Sequence, residues 1–577
     1  MRRYQRLLPC LQWPRPDGGL LRGEALAGLT VGLMVIPQGV AYATLAGMPV
    51  VTGIYASLLP ALVAALFGAS PRLSVGPTAL SCLLISASLS GLAEPGSPHW
   101  VTLAVWLSLL CGLVQVMLGW ARFGWLLNLV NAPVLMAFTQ AAAVLIIASQ
   151  WQALIGWSAA EGRWLLPVHL PALAFGLGSL GTLVLARRWK PTLPAVLLVV
   201  LVTGALSRAT GFADQGGAVV GALPQGLPAL FTPNWPGWQT LGQLALPVLI
   251  IALVSFLETA ASAKVDNARQ GTPWNQNQDL IGQGLAKVVS GLSGAFPTSA
   301  SFSRSALNLY AGARTGWATV FSVLVVGLAL LFFLPVLHHV PQSVLAAIVV
   351  VAVVGLIQPQ GFVRLWRLSR VEALTAGLTF GVTVLAAPRL YWGVIAGMLM
   401  ALSHFLYQRL HPRIIEVGLH PDGRLRDRHL WQLPALAPNT YALRMDAALD
   451  FGSAGALERS INDHLASHPD TRQLVLLAQP INRIDATGVE TFTRLGSQLA
   501  AQRRILHLVG VKLPVEQALR TAGELRPSPW LRVHHTETQL LHALAEPCAA
   551  SLDDNAVPLE PEPIPRPAPQ TRVPVAA

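Results

Sequence analysis

Two stretches of sequence decide the fold: Ser74-Val-Gly-Pro-Thr-Ala-Leu80 and Phe296-Pro-Thr-Ser-Ala-Ser-Phe-Ser-Arg-Ser-Ala306. Each interrupts an apolar region with helix-breaking residues and then starts a short helix. At membrane depth, broken helices are tolerated only where they line a cavity enclosed by protein. The N-terminus of a half-helix carries unpaired N–H groups and a partial positive charge, so it favours anions. The two stretches therefore predict an anion site between two half-helices.

The composition is that of a membrane protein. The chain of 577 residues is 53% hydrophobic and 11% charged, with a mean hydropathy of +0.53, whereas soluble proteins have about 25% charged residues. The net charge of +12 does not indicate a nucleic-acid-binding protein, because the basic residues form short groups between apolar runs. We therefore expect a multi-span protein in the lipid bilayer that does not bind nucleic acid.

Fourteen apolar segments are long enough to cross or half cross a bilayer. Seven lie between residues 25 and 207, and seven between residues 243 and 408. If the N-terminus is cytoplasmic, the loops predicted to lie outside contain only Arg163, Arg208 and Arg389 among their basic residues. This asymmetry agrees with the positive-inside rule. We expect a protein of the inner (cytoplasmic) membrane with both termini in the cytoplasm.

Because each half has an odd number of segments, the second half has the opposite orientation in the membrane to the first. The broken segment is the third segment of each half. Matching breaks of this kind point to a substrate site at the membrane midplane. The predicted fold class is an α-helical polytopic membrane protein with a 7+7 inverted repeat. The alternative is that Pro77 and Pro297 only kink buried helices.

The chain divides into segments of different composition. We predict a cytoplasmic N-terminal segment at 1–24, a transmembrane anion transport domain at 25–410, a linker at 411–436 and a small cytoplasmic domain at 437–546. In the last of these, strands alternate with helices, which predicts a mostly parallel α/β layer. The proline-rich tail at 547–577 has little to bury and should be disordered.

Polar residues in the first segment are candidates for the site. Pro37 removes a backbone donor and should open the first helix near its middle. Gln38 and Tyr42 lie one turn apart and can face this opening, where an amide and a phenol would offer neutral hydrogen bonds to an oxyanion. Alternatively, Tyr42 is an aromatic residue at the membrane interface.

Arg304 is a charged residue inside an apolar segment, where an unpaired charge is costly and usually functional. Its guanidinium would add to the positive ends of the two half-helices, and Ser301 and Ser303 offer hydroxyl groups beside it. The alternative is a structural role, in which Arg304 pairs with a carboxylate or with the C-terminus of a helix.

Glu258 is the one acidic residue deep in the eighth segment. Carboxyl groups inside membrane proteins commonly carry protons during transport. The alternative is a structural ion pair of Glu258 with Arg304 or Lys287.

Motifs along most of the chain resemble one known family. The stretch from Gly23 to Pro49, followed by Gly53-Ile-Tyr55, resembles the opening signature of the SulP sulfate permeases. Phe256-Leu-Glu-Thr259 and the two broken segments continue the resemblance in the same order, and the C-terminal domain resembles a STAS domain. The resemblance implies a uracil-permease-like fold in which a core domain carries substrate past a gate domain, usually in a homodimer.

The resemblance also implies roles for single residues. In the family, the serines and the arginine that match Ser301, Ser303 and Arg304 border the bound anion. Some members have a proton-binding glutamate at the position of Glu258, whereas sodium-coupled bicarbonate members have a sodium-ligating aspartate there. The change from aspartate to glutamate disfavours sodium, but Thr259 and Ser262 remain available as oxygen ligands for it. The predicted substrate-binding residues are Gln38, Tyr42, Thr78, Ala79, Ser301, Phe302, Ser303 and Arg304. The predicted coupling-ion residues are Glu258, Thr259 and Ser262.

The turn Asp485-Ala-Thr487-Gly488 lies between a predicted strand and a predicted helix. It resembles the D-x-[ST]-G turn of STAS domains, whose hydroxyl is phosphorylated in bacterial signalling relatives. Thr487 is therefore a candidate regulatory phosphosite. The alternative is an ordinary helix N-cap formed by Asp485 or Thr487.

Other chemistry has no matching motif in the sequence. The phosphate-binding G-x-x-x-x-G-K-[ST] loop is absent, which argues against ATP-driven transport by this chain. His338-His339 and the four cysteines lack the spacing of a metal site. We expect no cofactor, no metal ion and no enzymatic activity.

The leading hypothesis is a proton-linked symporter or exchanger for an inorganic anion, with sulfate as the first candidate. Bicarbonate, chloride or a dicarboxylate are alternative substrates, and sodium is the alternative coupling ion. A second hypothesis is a membrane protein that responds to anions without transporting them and signals to a cytoplasmic partner through its STAS domain.

Overall fold

The computed structural model describes residues 8–129, 131–156, 169–189, 195–221, 226–332, 337–526 and 528–545. The tail predicted to be disordered, 547–577, and the first seven residues of the predicted N-terminal segment lie outside the described residues. The chain divides into two compact units, residues 1–402 and residues 403–577. We call them the helical unit and the C-terminal unit.

The helical unit contains sixteen described α-helices, the last of which continues into the C-terminal unit. The first eight are α1 Gly18–Leu45, α2 Val51–Tyr55, α3 Leu59–Phe67, α4 Ala79–Leu89, α5 Pro98–Trp120, α6 Ala132–Ile155, α7 Leu170–Trp189 and α8 Ala195–Ala209. The other eight are α9 Trp238–Gln270, α10 Gln276–Leu292, α11 Phe302–Tyr310, α12 Trp317–Phe332, α13 Gln342–Val354, α14 Pro359–Leu368, α15 Arg370–Leu385 and α16 Tyr391–Leu410.

The helices agree with the fourteen predicted segments, because each segment contains helix. In the described part of the chain, five helical stretches are long and apolar enough to cross a membrane by length and composition, and the others are shorter. Two features were not predicted. The second segment is itself broken into α2 and α3, and α14 lies in what was expected to be a loop.

The expectation that Pro37 opens the first helix is wrong, since α1 is continuous from Gly18 to Leu45. Proline removes only one hydrogen bond, and packing by neighbouring helices makes it tolerable in a membrane helix. Gln38 and Tyr42 are therefore presented by an unbroken helix.

The helices of the first unit pack in two groups. In one group, α10 packs along α5 and α3, and α12 packs along α1; in the other, α6 packs against α13 and α15. Small residues allow the closest approach. A Cβ atom built on Gly112 would lie 2.6 Å from the carbonyl oxygen of Gly284, and one built on Gly284 would lie 2.6 Å from the carbonyl oxygen of Gly112. Close backbone approach of this kind lets membrane helices gain van der Waals contact.

The C-terminal unit contains a six-stranded sheet in the order β4-β3-β5-β6-β7-β8. Strands β5 to β8 are parallel, which confirms the predicted α/β layer, and β3 pairs antiparallel with β4 and β5. The strands are β3 Ile414–Leu419, β4 Leu425–Asp427, β5 Thr440–Met445, β6 Gln473–Leu477, β7 Ile505–Val509 and β8 Leu531–His534. The helices are α17 Ala454–Ser467, α18 Ala486–Ala501, α19 Leu513–Thr521 and α20 Glu537–Ala545.

Strands β3 and β4 lie within residues 411–436, where the sequence indicated only a linker. These strands are short and carry charged residues, so their apolar pattern is weak. Pairing with β5 gives Ile415 and Val417 a buried apolar environment on the sheet. Tertiary contacts, which a local pattern does not show, thus determine these strands.

Two histidines are buried between neighbouring strands of this sheet. Nδ1 of His507 on β7 lies 2.9 Å from Nε2 of His534 on β8, and the two rings stack. The pKa of His507 is lowered to about 4, because burial disfavours the imidazolium and because His534 and Arg532 add positive charge nearby. The folded domain therefore holds His507 neutral.

This histidine predicts a loss of stability in acid. In the unfolded chain, the pKa of this histidine is about 6.5, whereas in the folded chain it is about 4. As the pH falls between these two values, the unfolded chain binds a proton that the folded chain does not. The stability of the sheet therefore falls. His507→Gln cannot titrate in this range and should reduce the loss. The measurement is the hydrogen-exchange protection of β7 in the full chain at pH 7 and pH 5.

A control is His468→Gln, which removes an exposed histidine of the same unit and should leave the pH dependence as in the unchanged chain. An equal loss of protection in the His507→Gln variant and the unchanged chain would show that His507 is not responsible.

Candidate functional site

The two broken segments meet in the structure, as predicted. Strand β1, Val75–Gly76, pairs antiparallel with β2, Ser299–Ala300, so that Val75 faces Ala300 and Gly76 faces Ser299. Helix α4 starts three residues after β1, and α11 starts two residues after β2. The positive N-terminal ends of both half-helices therefore lie beside the same pair of strands.

Ser74 joins the two breaks through three hydrogen bonds. Its N–H donates to Oγ of Ser305 at 3.0 Å, and its carbonyl oxygen accepts from the N–H of Ser301 at 3.0 Å. Its hydroxyl oxygen accepts from Nε of Arg304 at 3.3 Å. The position of the Arg304 side chain is thus fixed by the same contacts that join the half-helices.

Arg304 is a buried cation with a free donor. Its side chain is 1% exposed, and Nη2 has no hydrogen-bond partner within the described residues. A Cβ atom on Gly76 would lie 3.4 Å from this nitrogen, so Nη2 lies against β1. Arg304 also forms no ion pair with a described carboxylate, which contradicts the carboxylate pairing of the structural alternative. A buried donor without a partner is rare and points to a ligand or a functional role.

Each half-helix begins with a hydroxyl cap. Oγ1 of Thr78 accepts from the N–H of Ser81 at 3.3 Å, and Oγ of Ser301 accepts from the N–H of Arg304 at 3.5 Å. Oγ of Ser301 also lies 3.3 Å from Oγ of Ser303. The caps use one N–H group of each helix and leave others at the helix start unpaired.

Ala79 and Phe302 are the first residues of the two half-helices, and they differ in exposure. Ala79 is buried, whereas the side chain of Phe302 is 58% exposed and Ser303 is also exposed. The start of α4 therefore faces the protein interior, while Phe302 and Ser303 lie on an open side of α11.

The carboxylate of Glu258 lies at the N-terminal end of α4. Its Oε2 accepts hydrogen bonds from Oγ1 of Thr78 at 3.0 Å and from Oγ of Ser81 at 3.3 Å. The suggested ion pairs of Glu258 are not present among the described residues. Nζ of Lys287 instead donates to Oε1 of Gln115 at 2.9 Å.

The hydroxyl groups of Thr259 and Ser262 do not donate to the carboxylate of Glu258. The hydroxyl of Thr259 donates to the carbonyl oxygen of Ser255 at 3.0 Å, and that of Ser262 donates to the carbonyl oxygen of Glu258 at 3.2 Å. Ser81 makes the contact that the sequence analysis missed. Its position three residues after the cap Thr78 was the available signal.

Tyr42 and Gln38 face the interior from the unbroken helix α1. Tyr42 is 6% exposed, so it is not an aromatic residue at the membrane interface, and Gln38 is 4% exposed. Helix α1 packs against α4 and α11, and α9 packs against the same two half-helices. Oε1 of Gln38 is buried and has no hydrogen-bond partner in the described ranges. The structure thus brings residues of α1, α4, α9 and α11 together.

The turn at Thr487 forms a helix N-cap through Asp485, which was the alternative to a phosphosite. Oδ1 of Asp485 accepts from the N–H of Gly488 at 2.8 Å, and Oδ2 accepts from the N–H of Phe451 at 3.0 Å. The side chain of Thr487 is exposed at the start of α18. Its hydroxyl is therefore not needed to cap the helix.

Comparison with known proteins agrees with this geometry. The sulfate permease family model matches residues 21–379, and the STAS domain model matches residues 435–537. A probable sulfate transporter (4.2) of Arabidopsis thaliana is 30% identical over 94% of this chain and 84% of its own length.

Solved structures show the same fold. The murine Solute Carrier 26 family member A9 anion transporter, in its inward-facing state, aligns with a TM-score of 0.83 and 19% identity over 94% of this chain and 95% of its own. The transmembrane domain of the cyanobacterial bicarbonate transporter BicA aligns with a TM-score of 0.56 and 21% identity over 66% of this chain and 98% of its own.

The fold is therefore the uracil-permease-like transporter fold with about fourteen membrane segments in a 7+7 inverted repeat, followed by a STAS domain. The family consists of membrane transporters for inorganic anions. The chain belongs to the sulfate permease family.

Proposed function

We propose that this protein is a secondary active transporter that moves sulfate across the inner membrane by alternating access, together with a proton. The observation that carries the proposal is the free Nη2 donor of buried Arg304 beside the N-termini of α4 and α11. An oxyanion at this place would receive a charge-assisted hydrogen bond and the positive ends of two helices.

Proton coupling follows from the place of Glu258. A carboxylate at the start of α4, bonded to Thr78 and Ser81, occupies the same positive helix end that an anionic substrate would use. Protonation removes this competing negative charge, so a proton on Glu258 favours anion binding, and a bound anion favours the proton. Proton and anion then cross together.

The choice of sulfate rests on relatives that are named sulfate transporters. Bicarbonate is the second candidate because the chain shares its fold with a bicarbonate transporter. Chloride or a dicarboxylate would meet the same donors, and sodium could replace the proton with Thr259 and Ser262 as further ligands. Uptake of each labelled anion into proteoliposomes, with and without proton and sodium gradients, separates these substrates and ions. Absence of any counterflow would favour a non-transporting anion sensor.

The two predicted domains have different tasks in this proposal. Residues 25–410 transport the anion, and residues 437–546 regulate or stabilise the transporter, since the candidate anion ligands all lie in the first. We further propose a homodimer, cytoplasmic termini and a cytoplasmic partner for the STAS domain.

Removing the charge of Arg304 should weaken anion binding by about 1 to 3 kcal/mol, the range for a hydrogen bond to a charged group. Ser303→Ala should cost less, because backbone donors at the start of α11 remain. Calorimetric titration of purified Arg304→Gln protein measures the difference. Correctly folded Arg304→Gln protein with unchanged affinity would exclude Arg304 from the site.

Glu258→Gln should abolish the acceleration of uptake by an inward proton gradient and leave anion exchange measurable. The amide has nearly the same shape but cannot take up the proton. The measurement is labelled sulfate uptake into proteoliposomes with and without the gradient, and Glu94→Gln, at an exposed site, is the control. If uptake by the Glu258→Gln protein still follows the gradient, another group carries the proton.

We propose Thr487 as a regulatory phosphosite because its side chain is exposed and the Asp485 cap leaves its hydroxyl unused. Thr487→Glu should therefore change the transport rate, and neither Thr487→Glu nor Thr487→Val should lower the melting temperature by more than a degree or two. Uptake rates and thermal unfolding of both variants test this. A rate unaffected by Thr487→Glu would argue against the switch.

A further inference from the structure

Helix α14, Pro359–Leu368, connects α13 to α15, and none of its residues is fully buried. Ten helical residues span about 15 Å, which is too short to cross a hydrocarbon core of about 30 Å. The helix starts with Pro359 and is followed at once by α15, whose N-cap is Ser369. It is a short surface helix between two apolar helices.

The two faces of α14 differ in chemistry. Gln360, Arg364 and Arg367 have the i, i+4, i+7 spacing that places side chains on one face of a helix. The ring of Phe362 packs against Phe380 of α15, with 5.9 Å between the ring centroids. Trp366 is 57% exposed, and aromatic rings of this kind favour the membrane interface.

The basic face lacks compensating negative charge. Arg364 and Arg367 are exposed and form no hydrogen bond or ion pair with any residue that the structure describes. Arg370, the first residue of α15, is also exposed. Glu372 is the only acidic residue in the sequence between Asp279 and Glu416. Two to three positive charges therefore stand together on this side of the protein.

Along its basic face, α14 alone forms an open, shallow surface, which we call the groove. Its lining combines Gln360 and the two arginines with the apolar side chains of Val363 and Leu368. Val363 and Leu368 are both more than half exposed. Guanidinium groups bind phosphate oxygens through paired hydrogen bonds, and exposed apolar side chains beside them suit the glycerol and first methylene groups of a lipid. A soluble phosphate would leave this apolar border uncovered.

We propose that the groove on α14 binds the head group of an anionic phospholipid from the cytoplasmic leaflet, with Arg364 and Arg367 contacting its phosphate. Helices α13 and α15, which α14 joins, both pack on α6. A lipid bound here would hold this group of helices together, so the transport rate should depend on anionic lipid.

The test is native mass spectrometry of the purified full chain, titrated with short-chain phosphatidylglycerol or phosphatidylcholine. Each arginine near the membrane surface contributes roughly a fivefold gain in affinity for anionic lipid. Arg364→Gln/Arg367→Gln should therefore bind phosphatidylglycerol about 25-fold more weakly. The single variant Arg367→Gln should show about a fivefold loss, and it serves if the double variant does not fold.

The control is Arg15→Gln/Arg22→Gln, which removes two exposed arginines that are also predicted to be cytoplasmic but lie outside the groove. It should bind phosphatidylglycerol as the unchanged chain does. Equal binding by the groove variant and the unchanged chain would overturn the proposal. So would equal affinity for phosphatidylcholine, or complete displacement of the lipid by an equal concentration of inorganic phosphate.

Discussion

The candidate anion site depends on the pairing of two interrupted helices around the buried positive charge of Arg304. Arg304 donates to the hydroxyl of Ser74, and the backbone of Ser74 bonds to Ser301 and Ser305. Without the antiparallel pairing of β1 and β2, the two half-helices would not start at the same place. The arginine has no described carboxylate partner, so its charge remains available to a ligand from outside the protein.

In the proposed mechanism, the same end of α4 serves two negative groups in turn. Glu258 already occupies it through Thr78 and Ser81, while the free nitrogen of Arg304 points to a place for the substrate. Two negative charges close together repel each other. In the proposed mechanism, a proton on the carboxyl group relieves that repulsion and so couples the anion to the proton without direct contact between them.

The parts of the site that could be predicted from the sequence are residues that are unusual in an apolar membrane segment. Prolines and glycines in an apolar segment, and lone charges such as Arg304 and Glu258, stand out from their neighbours. The contacts of Ser74 with α11 could not be predicted, because its partners are distant in sequence. Ser81 was missed because serine is common in membrane helices, although its position three residues after Thr78 placed it at the start of α4. Helix α14 was missed because its apolar and basic residues alternate with the helical period over only ten residues. The effect of Pro37 was overestimated because packing around α1 compensates for one missing hydrogen bond.

The central claim is that the paired half-helices and Arg304 form the oxyanion site. The most direct measurement is a crystal structure of the protein grown with selenate, a sulfate analogue whose selenium gives an anomalous signal. We expect an anomalous peak beside β1 and β2, with a selenate oxygen about 3 Å from Nη2 of Arg304. A selenate ion bound elsewhere in the helical unit, with Nη2 of Arg304 still unpartnered, would contradict it.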